Sequence, residues 1–231
     1  MSSSEFDLHA DNYDATLNQA LSATGEDKDY FAGRRVRWVS QCLARLGQRP
    51  SHILDYGCGI GDTSKLLETA FEAQAVVGVD ISLRSLELAA ERNGTTTCQF
   101  MSFSDYSRLE SIDLAYCNGV FHHIPVAMRS AAVEYIVSRL RPGGMFSFWE
   151  NNPWNPGTRY VMSQCAFDYD AVMIPPSQAR ALLRRHGFEI VQTDYCFFFP
   201  RFLSALRFLD VRLSHFPLGA QYQVLCRRPS R

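Results

Sequence analysis

Ile53-Leu-Asp-Tyr-Gly-Cys-Gly-Ile-Gly-Asp62 is an apolar run, then three glycines at alternate positions, then an acid. It reads as a strand, a tight turn and the start of a helix. Glycine lets the backbone turn sharply and approach a ligand with no Cβ in the way. The helix N-terminus offers unpaired N–H groups, and a nucleotide-like ligand fits across such an edge of a parallel sheet. Two ligand classes compete for the loop. A dinucleotide loop needs G-x-G-x-x-G/A, but here the third position is Asp62 and the glycine falls at Gly61. An acid there repels a pyrophosphate, which disfavours a nicotinamide cofactor. No G-K-[ST] follows, so a P-loop is absent.

Outward from the loop, strand-like and helix-like segments alternate. Residues 52–56, 75–80, 97–103, 112–118 and 145–150 read as five strands. Ser82 caps a helix with Leu83, Leu86 and Ala90 on one face, and Gly94 ends it. Pro125 suits a first helical turn. Val133, Ile136, Val137 and Leu140 form that helix's buried stripe, and residues 141–144 terminate it. Upstream, a helix from about Tyr30 carries Val36, Val39, Leu43 and Leu46 at helical spacing, and Gly47 closes it. Downstream, 177–186 is a helix closed by Gly187, 188–199 is strand-like and 221–227 is a last strand. Such alternation implies right-handed βαβ units and an α/β sheet covered on both faces. Residues 1–29 are expected to form an N-terminal arm or lid. Residues 30–231 are expected to form a single domain with substrate-capping insertions at about 151–176 and 200–219, since long loops in a compact domain are often functional.

Composition narrows the function classes. The 231 residues are 46% hydrophobic and 20% charged, with 23 Lys plus Arg against 24 Asp plus Glu. A net charge of −1 argues against a dedicated nucleic-acid binder. Seven cysteines without a C-x-x-C pair speak for free thiols in a reducing cytoplasm, not a disulfide framework or zinc site. The N-terminal residues lack the apolar core of a signal peptide. No stretch approaches the roughly 18 apolar residues of a membrane span.

The spacing acid-x-G-x-G-x-G, met by Asp55, Gly57, Gly59 and Gly61, resembles the class I S-adenosylmethionine-dependent methyltransferases, in a bacterial small-molecule subgroup. The resemblance implies a Rossmann-like, doubly wound seven-stranded sheet, mostly parallel with an antiparallel last strand. It implies S-adenosylmethionine as cofactor, with S-adenosylhomocysteine as product. The glycine loop would pack against the cofactor's amino-acid part and sulfonium. Asp80, with Ile81 beside it, ends the second strand, where the family's acid accepts hydrogen bonds from the ribose hydroxyls. Ser104 and Asp105 compete for the adenine contact. Asn118 and Gly119 would lie beside the methionine end, within a segment running to His122-His-Ile-Pro125 that resembles the family's fourth motif. Leu140-Arg-Pro-Gly-Gly-Met145 is the family's usual approach to the fifth strand. Tyr13 would fold over the methionine group, and Arg34 or Arg35 would meet its carboxylate as a fork donor.

Methyl transfer asks the protein to align a nucleophile and exclude water. A base is needed only when the nucleophile must lose a proton. His122 or His123 is the candidate, because a neutral imidazole accepts a proton near neutral pH. Adjacent histidines alone are not a complete ligand set, so no metal is expected. Asn152 and Trp154, in the Asn-Pro-rich loop after the fifth strand, would line the acceptor pocket. Residues 200–219, apolar with arginines interleaved, read as a helix packed on the sheet or a dimer face in preference to a lipid-like acceptor or membrane contact. The expected activity is methylation of a small molecule, on oxygen, with nitrogen as the runner-up atom. The competing class is a non-catalytic scaffold of the same fold that binds a protein partner. An intact glycine loop and Asp80 argue against it. An oxidoreductase is a distant third.

Overall fold

A computed structural model describes residues 13–109, 111–165 and 168–230. Helix α1 (Tyr13–Leu21) leads through a 3-10 turn at Ser22–Thr24 into α2 (Lys28–Arg45). The Asp27 carboxylate accepts the Tyr30 backbone N–H at 2.8 Å and starts α2. Its buried face runs through Ala32, Val36, Val39 and Leu43 at helical spacing. Then follow β1 (His52–Tyr56), α3 (Asp62–Phe71), β2 (Ala75–Asp80), α4 (Leu83–Asn93), β3 (Cys98–Ser102), β4 (Ile112–Asn118), α5 (Arg129–Arg139) and β5 (Leu140–Asn151). After α6 (Pro156–Ser163) come α7 (Pro176–Arg185), β6 (Glu189–Cys196), a 3-10 stretch at Arg201–Leu209, the single turn α8 (Asp210–Leu213) and β7 (Gln221–Arg227).

The seven strands form one sheet in the order β3-β2-β1-β4-β5-β7-β6. The pairs β1 with β2, β1 with β4, β2 with β3 and β4 with β5 are parallel, whereas β7 is antiparallel to both neighbours. Strand order reverses between β1 and β4, so the crevice at their C-terminal ends is where a ligand belongs. The sheet is buried on both faces because its side chains alternate. Phe146 and Phe148 join Val133, Ile136, Leu183 and Tyr222 in one core layer. Met145 and Trp149, on the other face of the same strand, pack with Val36, Leu43 and Leu67.

Where structure and expectation differ, local chemistry gives the reason. Within the expected arm, 13–21 is a helix in contact with α2 and α6, its Leu17 and Ala20 meeting Val161 and Cys165; residues 1–12 lie outside the described residues. The capping insertion contains a helix, α6, capped by Asn155, whose carboxamide oxygen accepts the Thr158 N–H at 2.9 Å, with Pro156 in its first turn. Helix α5 ends at Arg139, before the expected terminator, and Leu140, expected in its buried stripe, begins β5; residues 141–144 form the irregular start of that strand, where Gly143 takes φ +76°. The segment 200–219 does not lie down as a packed helix. Phe202, Phe208 and Phe216 are 80%, 67% and 59% exposed.

Candidate active site

The glycine turn sits at the topological switch point with all three residues at positive φ: Gly57 +73°, Gly59 +53° and Gly61 +84°. Their reasons differ. A Cβ on Gly57 would stand 2.4 Å from Val120 Cγ2, so packing forbids it. A Cβ on Gly59 would meet nothing within 4 Å. Gly59 is open toward a cleft, the condition for close approach of a ligand to the backbone. Asp80 clamps this turn: Oδ2 accepts the Gly59 N–H at 2.8 Å and Oδ1 accepts the Ser82 N–H at 2.9 Å. Ile81, beside it, is 51% exposed. Asp62, in the first turn of α3, is ion-paired with Lys28 and accepts from Asn93 Nδ2 at 3.1 Å. A side-chain carboxylate thus occupies the place a pyrophosphate would need.

Beneath the turn, Asp55 is buried and accepts the Ser64 hydroxyl at 2.6 Å. Burial raises its carboxyl to about 7, against the pull of Ser64 and Arg35. A cleft of about 120 Å³ runs over Asp55, Gly57 and Gly59 to Arg35 and Asn118. The Asn118 Oδ1 and the Arg35 Nε are buried without hydrogen-bond partners among the described residues. Buried polar atoms are normally satisfied, so a polar ligand at the β4 end fits both. An open Gly59, a carboxylate at the β2 end and these orphaned atoms suit the expected cofactor.

A second cavity of about 480 Å³ opens from the same place, sharing Leu17, Lys28, Arg35 and Asn118 with the cleft. Its walls are largely apolar, from Phe31 on α2 to Phe197–Phe199 after β6. The mouth is tied across by Arg207, 2.9 Å from Glu26 Oε1 and 4.7 Å above the Tyr30 ring. At the polar end stand His122, His123 and Asp168. His122 is 4% exposed; its Nδ1 lies 2.6 Å from Glu150 Oε2 and its Nε2 3.4 Å from Asp168 Oδ1. Burial alone would push this imidazole down, but the two carboxylates raise it to about 10. His123, 3.4 Å from the same Asp168 oxygen, is pushed down to about 4 by burial and by the neighbouring His122 charge.

Several expected residues stand elsewhere. Arg34 pairs with Asp210 Oδ2 at 2.8 Å and leans on Tyr30 at 5.8 Å. The next side chain round the helix, Arg35, faces the cleft instead and donates to Gln221 Oε1 at 3.0 Å. Ser104 and Asp105 are exposed in a turn that bonds to itself, with Ser102 Oγ 2.8 Å from Ser104 Oγ and 2.6 Å from Asp105 Oδ2. Neither lines the cleft. Asn152 is fully buried: its Nδ2 donates to the carbonyls of Pro217 and Gly219, and its Oδ1 accepts from Trp154 N–H. It pins two long loops and does not reach the cavity. Trp154 is 48% exposed and outside the lining. Tyr13 begins α1, and its side chain lies outside the described residues.

Glu150 and Asp168 were not legible as site residues. A lone acid closing the apolar run 145–149 was a signal for Glu150. Asp168 lies far along the chain from the histidines, with no spacing to announce it.

A family profile described as "Methyltransferase domain" matches residues 54–146, from the glycine turn into β5. Trans-aconitate 2-methyltransferase of Klebsiella pneumoniae is 23% identical over 86% of this chain and 91% of its own length. Demethylmenaquinone methyltransferase of Symbiobacterium thermophilum is 32% identical, but the match spans 68% of this chain and 60% of that enzyme. Among solved structures, a DhpI–SAH complex superposes with a TM-score of 0.65 at 17% identity, covering 100% of this chain and 96% of the other. At that identity the superposition speaks for the fold. With the profile seated on the very turn that opens the cleft, the chain belongs to the class I S-adenosylmethionine-dependent methyltransferases.

Proposed function

We propose that the chain transfers the methyl group of S-adenosylmethionine to a small-molecule acceptor, on oxygen. The observation that carries this is the continuity of the two spaces. The cleft over Gly59 and the 480 Å³ cavity meet at Arg35 and Asn118. A cofactor lying over the glycine turn would present its methyl there, and the acceptor would reach it from the larger side. Bound there, S-adenosylmethionine supplies an electrophilic sulfonium methyl. The chain's own part is placement. Asp80 fixes the turn, and stands at the strand end suited to the ribose. Asn118 and Arg35 offer polar atoms to the amino-acid end. The apolar walls exclude water from an in-line displacement.

A cavity of this volume is in the range of small-ligand sites and too small for a nucleic-acid strand or folded protein. The two relatives are named for trans-aconitate and demethylmenaquinone, both small molecules. Oxygen is favoured because the two imidazoles at the polar end of the cavity offer ring nitrogens to an acceptor oxygen. The Asp168 carboxylate in the same wall keeps an amine acceptor as the second reading. All seven cysteines are free and buried, which fits a reducing cytoplasm. Among the described residues, no helix is long and apolar enough to cross a membrane. Incubation with methyl-labelled cofactor and a panel of carboxylic acids, phenols and amines tests the reading. Label in an acid or phenol supports it, and label only in amines reverses the atom.

A further inference from the structure

His122 and His123 follow one another after β4, yet the Nε2 of each ring turns to one carboxylate oxygen. Each lies 3.4 Å from Asp168 Oδ1. The three donor atoms all fall within 4.8 Å of one another, and all three residues line the larger cavity. At 3.4 Å these are long for hydrogen bonds, where about 2.9–3.0 Å is usual. Two donors each about 2.0–2.2 Å from one ion at a tetrahedral angle stand roughly 3.4 Å apart. The carboxylate therefore stands from each imidazole at the spacing of two ligands on one metal.

Behind His122, Glu150 supplies what a metal-bound imidazole characteristically has: a carboxylate on its other ring nitrogen. Glu150 Oε2 lies 2.6 Å from His122 Nδ1, and its Oε1 accepts the His122 backbone N–H at 3.2 Å. That contact fixes the ring with Nε2 toward Asp168 and the cavity, and would keep the proton on Nδ1 once an ion takes the place of the Nε2 proton.

We propose that His122 Nε2, His123 Nε2 and Asp168 Oδ1 form a divalent-cation site at the acceptor end of the cavity. Two imidazoles and one carboxylate suit Zn²⁺ or Co²⁺ better than Mg²⁺ or Ca²⁺, which prefer all-oxygen sets. Three protein ligands leave a position open, the pattern of catalytic and not structural zinc. On the cavity side that position takes an oxygen of the acceptor, so the acceptor is a hydroxyl or carboxylate compound whose oxyanion the ion stabilises. This role toward the acceptor rests on the methyl-transfer reading, whereas binding of the ion does not.

The test is a titration of the full-length, chelator-stripped chain with Co²⁺, followed by visible absorption and calorimetry. One equivalent is expected to bind, with the d–d bands of a four- or five-coordinate nitrogen–oxygen site, and Zn²⁺ is expected to displace it. Asp168→Asn and His123→Ala should each weaken Co²⁺ binding more than tenfold, and Glu150→Gln by about 10–100-fold. S-adenosylhomocysteine affinity, measured on the same samples, should stay within twofold and shows that each variant is folded. Absence of saturable Co²⁺ binding in the wild type, or binding unchanged in Asp168→Asn, overturns the proposal. Failure of S-adenosylhomocysteine to bind the wild type counts instead against the methyl-transfer reading.

Discussion

Gly57 and Gly59 are two residues apart, share a positive φ and answer to different demands. Gly57→Ala drives a Cβ into Val120, so the variant should lose stability and cofactor binding together. Gly59→Ala meets open space and carries only the left-handed strain of about 1–2 kcal/mol. It should fold, and its S-adenosylhomocysteine affinity should fall at least tenfold in calorimetry. Asp80→Ala removes the acceptor of two backbone N–H groups, so thermal unfolding of the free protein should already show a loss of about 1–3 kcal/mol. That double duty was not legible in the sequence. The pairing of an acid with a glycine loop showed, but which donors the acid takes depends on the turn's coordinates. Asp55 gives a pH signature. Its folded carboxyl titrates near 7, against about 3.9 in an unfolded chain. Between those values the folded state holds the proton and the unfolded state has lost it. Asp55 therefore lowers stability progressively as pH rises from about 4 to 7, and the penalty persists above. Asp55→Asn should be more stable than the wild type at pH 8 and no more stable at pH 4; equal pH profiles in chemical denaturation would refute this.

At the scale of elements, the regular part of the chain was readable and the connecting part was not. β1, β2, β4 and β7 stand where the apolar runs put them, because a strand buried on both faces has a continuous apolar text. Helix α1 was missed because the residues that hold it, Leu17 and Ala20, meet Val161 and Cys165, a partner far along the chain. Helix α6 carried an Asn-Pro start that could have been read. The Asn152 misassignment has the same root: an Asn in a Pro-rich loop looks like a ligand contact, and only the fold brings the carbonyls of Pro217 and Gly219 to it. Asn152→Ala leaves buried backbone groups unpaired and should cost about 2–4 kcal/mol in urea unfolding, several hydrogen-bonding groups at about 1–3 kcal/mol each being affected. Its cofactor affinity should not change.

For the whole molecule, the order of the sheet explains why one site serves two ligands. Strand order reverses between β1 and β4, so the glycine turn after β1 and the histidines after β4 open into one crevice. Helix α1 with the following turn, and residues 197–200 with Arg207, line the larger side. On the reading proposed above, the cleft over Gly59 holds the methyl donor. Calorimetric titration of the wild type and Gly59→Ala with S-adenosylhomocysteine, and of the wild type with NAD, tests it most directly. One-to-one binding to the wild type, at least tenfold weaker binding to the folded Gly59→Ala variant and no heat from NAD are expected. Equal affinity in the two proteins, or NAD binding in place of S-adenosylhomocysteine, would contradict it.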